Sequence, residues 1–242
     1  MRIGTTNLQR IRQGTRRADC CFEALSGLNV DLLIVTEPGP GFRARFPKLV
    51  VSPERRTDGE REEAWVAIVG NGIDSIEVSL EIEYKHLAVA YRTVLDGRQT
   101  IIYGSVLPWL SARTHAPDVY GNEYRTFVEV FDKALGEQAN DIERLRARCP
   151  ADALIWAGDF NHTLDGRPLS RQASSMLAVA IDELGHIAVN KKSPHRKEGL
   201  SALNLICVEK SWTPFQVEFF DPVFNNRTLS DHSWYVISVS TP

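Results

Sequence analysis

Four stretches of the chain end in side chains that could do chemistry together: Thr6-Asn7-Leu8, Val35-Thr36-Glu37, Gly158-Asp159-Phe160-Asn161 and Ser230-Asp231-His232. Each adjoins a short apolar run of the kind that forms a buried strand, so the polar residues are expected where strands meet solvent. Carboxylate and amide oxygens are the ligands of a hard cation such as Mg²⁺, which keeps most of its waters and needs only one or two carboxylates. A histidine beside a carboxylate, as in Asp231-His232, can exchange protons near neutral pH. Gly, Asp and Asn also punctuate ordinary turns, and Gly158-Asp159-Phe160-Asn161 alone is equally readable that way. The matching groups at both ends of the chain favour chemistry.

The stretch from Asp152 to Asn161 organises the rest. Its apolar run reads as a buried strand, and strand alternation predicts Asp159 and Asn161 on one face with Phe160 turned to the other. Composition limits what surrounds it. With 242 residues and 43 % hydrophobic content, the chain can bury a substantial core, and one domain over residues 1–242 is expected. A formal net charge of −3 provides no global cationic field, so contact with nucleic acid must come from a local patch. Cys20, Cys21, Cys149 and Cys207 lack zinc-type spacing, and a reduced cytoplasmic protein fits them best. No run approaches the length needed to span a bilayer and a strand opens the chain, so neither a membrane partner nor a leader is expected.

In chain order, a strand carrying Asn7 is followed by a helix over 15–28, with Ala18, Cys21, Phe22, Leu25 and Leu28 at helical spacing and Asn29 as its cap. The strand 31–36 stops at Glu37-Pro38-Gly39, and the charged residues 52–63 read as a solvated loop. Strands are predicted over 64–69, 75–80, 85–94 and 100–107, the last two joined by the Asp96-Gly97 turn. Residues 108–122 form a connection whose candidate binding residues are Trp109, Arg113 and His115, although Trp109 fits a plug against the core better than a binding role. A long helix spans 123–148, with Gly136 as a possible break. Another spans 170–184, and 190–199 is a basic loop that could touch phosphate. Strands over 187–189, 200–208, 215–220 and 234–239 complete the pattern. Two packed sheets with helices outside are the simplest architecture.

The four motifs, in this order and spacing, resemble those of the endonuclease/exonuclease/phosphatase superfamily, whose members include pancreatic-type deoxyribonucleases and inositol polyphosphate phosphatases. The resemblance covers residues 3–239. It implies a four-layer α/β/β/α sandwich of two mostly antiparallel sheets flanked by helices. It also implies metal-dependent phosphoester hydrolysis by in-line attack of water, as a phosphodiesterase or nuclease. Glu37 would be the principal metal carboxylate, with Asn7 and Asp231 fixing the ion or its waters, Mg²⁺ being the expected metal and Mn²⁺ a substitute. Asp159 would orient or deprotonate the attacking water, Asn161 would hold it or a phosphate oxygen, and His232 would bind the phosphate and share the proton.

The family pattern is broken in two places. The aspartate that normally orients the histidine is replaced by Asn204, which can accept a hydrogen bond but supplies no charge to an imidazolium. Asp221 is a possible compensator. The His or Tyr expected at the end of the strand through Tyr103 to Pro108 has no secure match, Tyr103 and His115 being the stand-ins. The alternative reading is therefore a catalytically weakened member that binds nucleic acid or a protein. The partner is expected to be a phosphoester, DNA or RNA included, and the chain to be a monomer. Arg113, His115 and the 191–197 loop are the available phosphate contacts.

Overall fold

The structure, a computed structural model, describes residues 1–12, 14–39, 42–46, 48–53, 55–57, 61–70, 76–112, 124 and 126–240. In chain order the elements are β1 (Arg2–Asn7), α1 (Arg16–Ser26), β2 (Leu32–Thr36), α2 (Phe42–Arg45), β3 (Leu49–Val51), β4 (Arg55–Thr57), β5 (Arg61–Glu63), β6 (Val66–Gly70) and β7 (Ile76–Val78). They continue as β8 (Ala88–Leu95), β9 (Arg98–Val106), α3 (Phe127–Arg148), β10 (Ala153–Asp159), α4 (Arg171–Glu183), β11 (His186–Ala188), β12 (Asn204–Glu209), β13 (Thr213–Phe220), β14 (Val223–Phe224), β15 (Arg227–Thr228) and β16 (Trp234–Ser240).

Two six-stranded sheets form the body, ordered β13-β16-β1-β2-β6-β3 and β11-β12-β10-β9-β8-β7. Each contains one parallel pair, β1 with β2 and β9 with β10, and is otherwise antiparallel. The parallel pairs arise because α1 and α3 are the crossovers that return the chain to the end of the sheet where the preceding strand began.

Alternation along the strands divides the core into three apolar layers. Ile3, Ile34, Ile68, Val89, Ile102, Ile155, Ile206 and Ile237 pack between the sheets. On the outer face of the second sheet, Leu154, Trp156, Tyr103 and Leu205 meet Phe131 and Leu135 of α3 and Leu177 and Ile181 of α4. On the outer face of the first, Leu33, Val35 and Val236 meet Cys21, Phe22 and Leu25 of α1. The order helix, sheet, sheet, helix is the expected four-layer sandwich, and buried Cys20 and Cys21 are packing groups on α1.

Local chemistry sets the element ends. Thr15 caps α1 by accepting from the Ala18 N–H at 3.2 Å, and Thr126 with Glu129 forms a reciprocal capping box on α3. Gly136 does not break α3, which runs through it. The C-cap of α1 is Gly27 in place of the expected Asn29, which instead takes φ +47° just before β2. Residues 55–57 and 61–63, expected as loop, pair as an antiparallel ribbon. The Asp96-Gly97 turn has positive φ at both residues, +48° and +77°, matching the twist of the β8–β9 hairpin. Among the described residues no helix is long and apolar enough to cross a membrane.

Candidate functional site

The candidate residues come from both sheets. Asn7 ends β1 and is fully buried. Its Nδ2 donates to Asp159 Oδ2 at 2.8 Å and to Glu37 Oε1 at 3.1 Å, while its Oδ1 accepts from the Gln9 N–H at 2.8 Å. One amide thus joins a carboxylate of its own sheet to one of the opposite sheet. Parallel pairing sets Asn7 opposite Thr36, so the residue after β2, Glu37, reaches the same rim. Glu37 sits at φ +47°, its N–H donates to Trp65 O at 2.9 Å, and its O accepts from the Arg10 N–H at 2.9 Å. Its Oε2 lies 3.5 Å from Arg10 Nε, and the Arg10 guanidinium covers the Trp65 ring at 4.8 Å.

Asp159 ends β10 directly opposite Asn204, the first residue of β12. This cross-strand pair explains why both side chains meet the same imidazole: His232 Nδ1 stands 2.9 Å from Asn204 Oδ1 and 3.6 Å from Asp159 Oδ2. With the amide oxygen accepting, Nδ1 carries the proton and Nε2 faces Asp231 Oδ1 at 3.8 Å. The Asp231 side chain is 63 % exposed and that of His232 only 14 %. Gln9 ties the two halves together, its Oε1 accepting from the Asp231 N–H at 3.1 Å.

Gly158 is required for this delivery. It has φ +147°, and a Cβ there would lie 1.9 Å from the Ser105 carbonyl oxygen on β9. Beyond it the expected alternation does not hold, because β10 ends at Asp159 and Asn161 turns to φ +54°. Asn161 approaches Asp159 by a tight turn, its N–H donating to Asp159 Oδ1 at 3.0 Å and its Nδ2 to Leu107 O at 2.9 Å. Phe160 is buried in the layer beneath the helices, as expected.

Burial pushes the Asp159 carboxyl above its ordinary pKa, against the opposing pull of His232, Asn7 and the Asn161 N–H. Burial likewise raises Glu37, helped by the charge of Asp159 and opposed by Asn7 and Arg10. Two carboxyls that resist ionisation at one rim form a donor set that a cation would favour, since a positive charge reverses both penalties. Among the described residues no group of three or more His, Cys, Asp or Glu converges closely enough to hold a metal. The carboxylate oxygens of Glu37 and Asp159 and the amide of Asn7 are the donor types a hard, water-rich ion takes.

Other expectations fare differently. Trp109 is half-buried and stacks on Trp65, with ring centroids 5.9 Å apart at 15°, which is the plug role. Arg113 and His115 lie outside the described residues. Tyr103 is fully buried against α3 and Trp156, so it cannot stand in for a rim histidine or tyrosine. Asp221 pairs with Arg196 at 3.7 Å; the carboxylate found at His232 Nδ1 is Asp159. Sequence reasoning missed Gln9, whose role nothing in its residue type signals. It noted His195 only as part of a basic loop, yet this side chain is 9 % exposed and packs edge to face with His232 at 5.7 Å.

No family model and no curated protein matches the chain. Solved structures do. The 3′ phosphatase NExo from Neisseria, bound to product DNA hairpin, is 13 % identical, with a TM-score of 0.66 and 99 % of each chain covered. The human Nocturnin catalytic domain with bound sulfate is 16 % identical, with a TM-score of 0.65, covering 99 % of this chain and 93 % of that one. An endonuclease/exonuclease/phosphatase family protein from Leptotrichia buccalis is 14 % identical, with a TM-score of 0.63 and 99 % of each chain covered. Similarity over nearly the full length, with the same two-sheet architecture, gives this chain the endonuclease/exonuclease/phosphatase fold.

Proposed function

We propose that residues 1–242 form a single catalytic domain of the endonuclease/exonuclease/phosphatase superfamily, a metal-dependent phosphoester hydrolase acting as a phosphodiesterase or nuclease. The observation that carries this reading is the pair of hydrogen bonds that cross between the sheets, Asn7 to Asp159 and His232 to Asn204. Together with the bond from Asn7 to Glu37, they draw two carboxylates, two amides and an imidazole from distant parts of the chain to one rim. Similar structures holding a DNA product and a sulfate support a phosphoester ligand.

Mg²⁺, or Mn²⁺ in its place, would be held by Glu37, with Asn7 and Asp231 fixing the ion or its waters, and would supply neutralisation of phosphate charge. Asp159, anchored at both oxygens, accepts a proton from the attacking water or orients it. Asn161 holds that water or a phosphate oxygen. His232, fixed through Nδ1, presents Nε2 to the phosphate and would donate to it as charge accumulates only when Nε2 also carries a proton. Asn204 is a positioning residue that holds the ring.

A second reading, a binding module with weakened catalysis, is favoured by the uncharged Asn204 at the histidine. The proximity of Asp159 to the same nitrogen weighs against it.

The test is hydrolysis of single- and double-stranded DNA, RNA and small phosphoesters, with Mg²⁺ and with chelator. Mg²⁺-dependent cleavage of at least one substrate is expected. Binding of nucleic acid without cleavage of any of them would favour the module. If DNA is the substrate, affinity falls steeply with salt, whereas a flat response points to a small phosphoester.

A further inference from the structure

His195 belongs to the basic loop between β11 and β12, yet its ring is buried and the loop is strapped to the segment carrying Asp231 and His232. The Arg196 N–H donates to Ser233 Oγ at 2.7 Å, its Nη1 to Ser230 O at 3.2 Å and its Nη2 to Thr228 Oγ1 at 3.0 Å. Tyr235 Oη donates to Pro194 O at 2.9 Å, and the His195 N–H donates to Leu200 O at 3.1 Å. The ring is thereby held perpendicular to that of His232, 83° apart.

Its two nitrogens are not equivalent. His195 Nδ1 accepts from the Lys197 N–H at 3.0 Å, so the ring proton resides on Nε2. That Nε2–H is buried and has no hydrogen-bond acceptor among the described residues. A buried donor left unpaired is costly. Others stand unpaired among the described residues, Trp212 Nε1 and Trp234 Nε1 included, and this one is distinguished by its ring's contact with His232. It lies on a ring packed edge to face against the imidazole expected to face phosphate.

We propose that His195 is a substrate-binding residue whose Nε2–H donates to a non-bridging oxygen of the phosphoester, alongside His232. The loop thus contributes one buried, oriented neutral donor, while Lys191, Lys192 and Lys197 remain exposed on its surface. A fixed neutral donor recognises phosphate oxygen by direction, which suits an acidic protein without a cationic field. The inference rests on the reading of the rim as a phosphoester site and adds a contact to it.

The test is calorimetric titration with inorganic phosphate, in the presence of Mg²⁺, of the wild-type protein, His195→Phe and His195→Gln. Phenylalanine keeps the ring packing and removes the donor; glutamine places an amide N–H near the Nε2 position. We expect phosphate binding to weaken by about tenfold to a hundredfold in His195→Phe and to stay within about threefold of wild type in His195→Gln. Equal binding by wild type and His195→Phe overturns the proposal, as does a wild type that binds no phosphate. If His195→Phe fails to fold, the imidazole ¹⁵N resonances of the wild type decide: a saturating shift of His195 Nε2 supports the contact, and its absence refutes it. His195-dependent phosphate binding with no hydrolysis of any phosphoester supports this inference while defeating the hydrolase reading, so the two failures are distinguishable.

Discussion

Asp159 Oδ2 lies 3.6 Å from His232 Nδ1, on the same nitrogen that Asn204 Oδ1 accepts from at 2.9 Å. The charge absent from Asn204 is thus supplied one strand away, by the residue paired with it across β10 and β12. A second carboxylate at position 204 adds charge where some already stands. Asn204→Asp is therefore expected to raise kcat, but by less than about tenfold. Steady-state kinetics on the substrate identified in the panel will check this, and an unchanged or lower kcat would show that the amide is tuned for its own role.

Glu37 gives a stability prediction with a definite sign. Its folded pKa is raised above the ordinary value of 4.5, so its contribution to stability is present below that value and is lost as pH rises through the folded pKa. Glu37→Gln does not titrate and keeps an acceptor for Asn7. In chelator, wild type and Glu37→Gln should have similar melting temperatures near pH 4, and the variant should become the more stable as pH rises toward 8. Adding Mg²⁺ should raise the wild-type melting temperature and leave the variant almost unmoved. A wild type that gains on the variant with rising pH in chelator would contradict the assignment.

Gln9 is predicted to be a positioning residue. Its side chain accepts from the Asp231 N–H at 3.1 Å and from Arg17 Nη2 at 3.3 Å, and its backbone N–H orients Asn7. Gln9→Ala should lower kcat by about tenfold while costing about 1 kcal/mol of stability. Gln9→Glu retains the acceptor and should recover most of the rate. Equal losses in both variants would remove the positioning role.

Gly158→Ala should be far more damaging than its single methyl suggests. The added carbon meets the Ser105 carbonyl at 1.9 Å in a backbone conformation of φ +147°, so β10 must move away from β9. The expected cost is on the order of 3 kcal/mol, with Asp159 displaced and activity lost. Denaturant unfolding measures the first and turnover the second; a variant as stable and active as wild type would mean the strands are free to separate here.

The layers were legible because alternation writes them directly into the strands: Leu154 and Trp156 face the helices while Ile155 faces the other sheet. The rim residues were legible as strand ends, since Asn7, Glu37 and Asp159 each stop an apolar run. Their contacts were not. Local periodicity says nothing about the β10–β12 register that puts Asp159 opposite Asn204, and alternation failed at Asn161, where a positive φ replaced the pleat. The charged residues 55–57 and 61–63 were not legible as strand because pairing of their backbone, not residue type, makes them so. His195 was hidden for a related reason: a loop rich in charge gave no sign that one of its side chains is buried.

The central claim is that Glu37 and Asp159, joined by Asn7, act with a divalent ion on a phosphoester. Its most direct test is hydrolysis of bis(p-nitrophenyl) phosphate by protein stripped of metal and then titrated with Mg²⁺, compared with Asp159→Asn and Glu37→Gln prepared identically. The account predicts saturable Mg²⁺-dependent turnover by the wild type, reduced by at least about a hundredfold in each variant. Turnover that survives chelation, or that is equal in all three proteins, would contradict it.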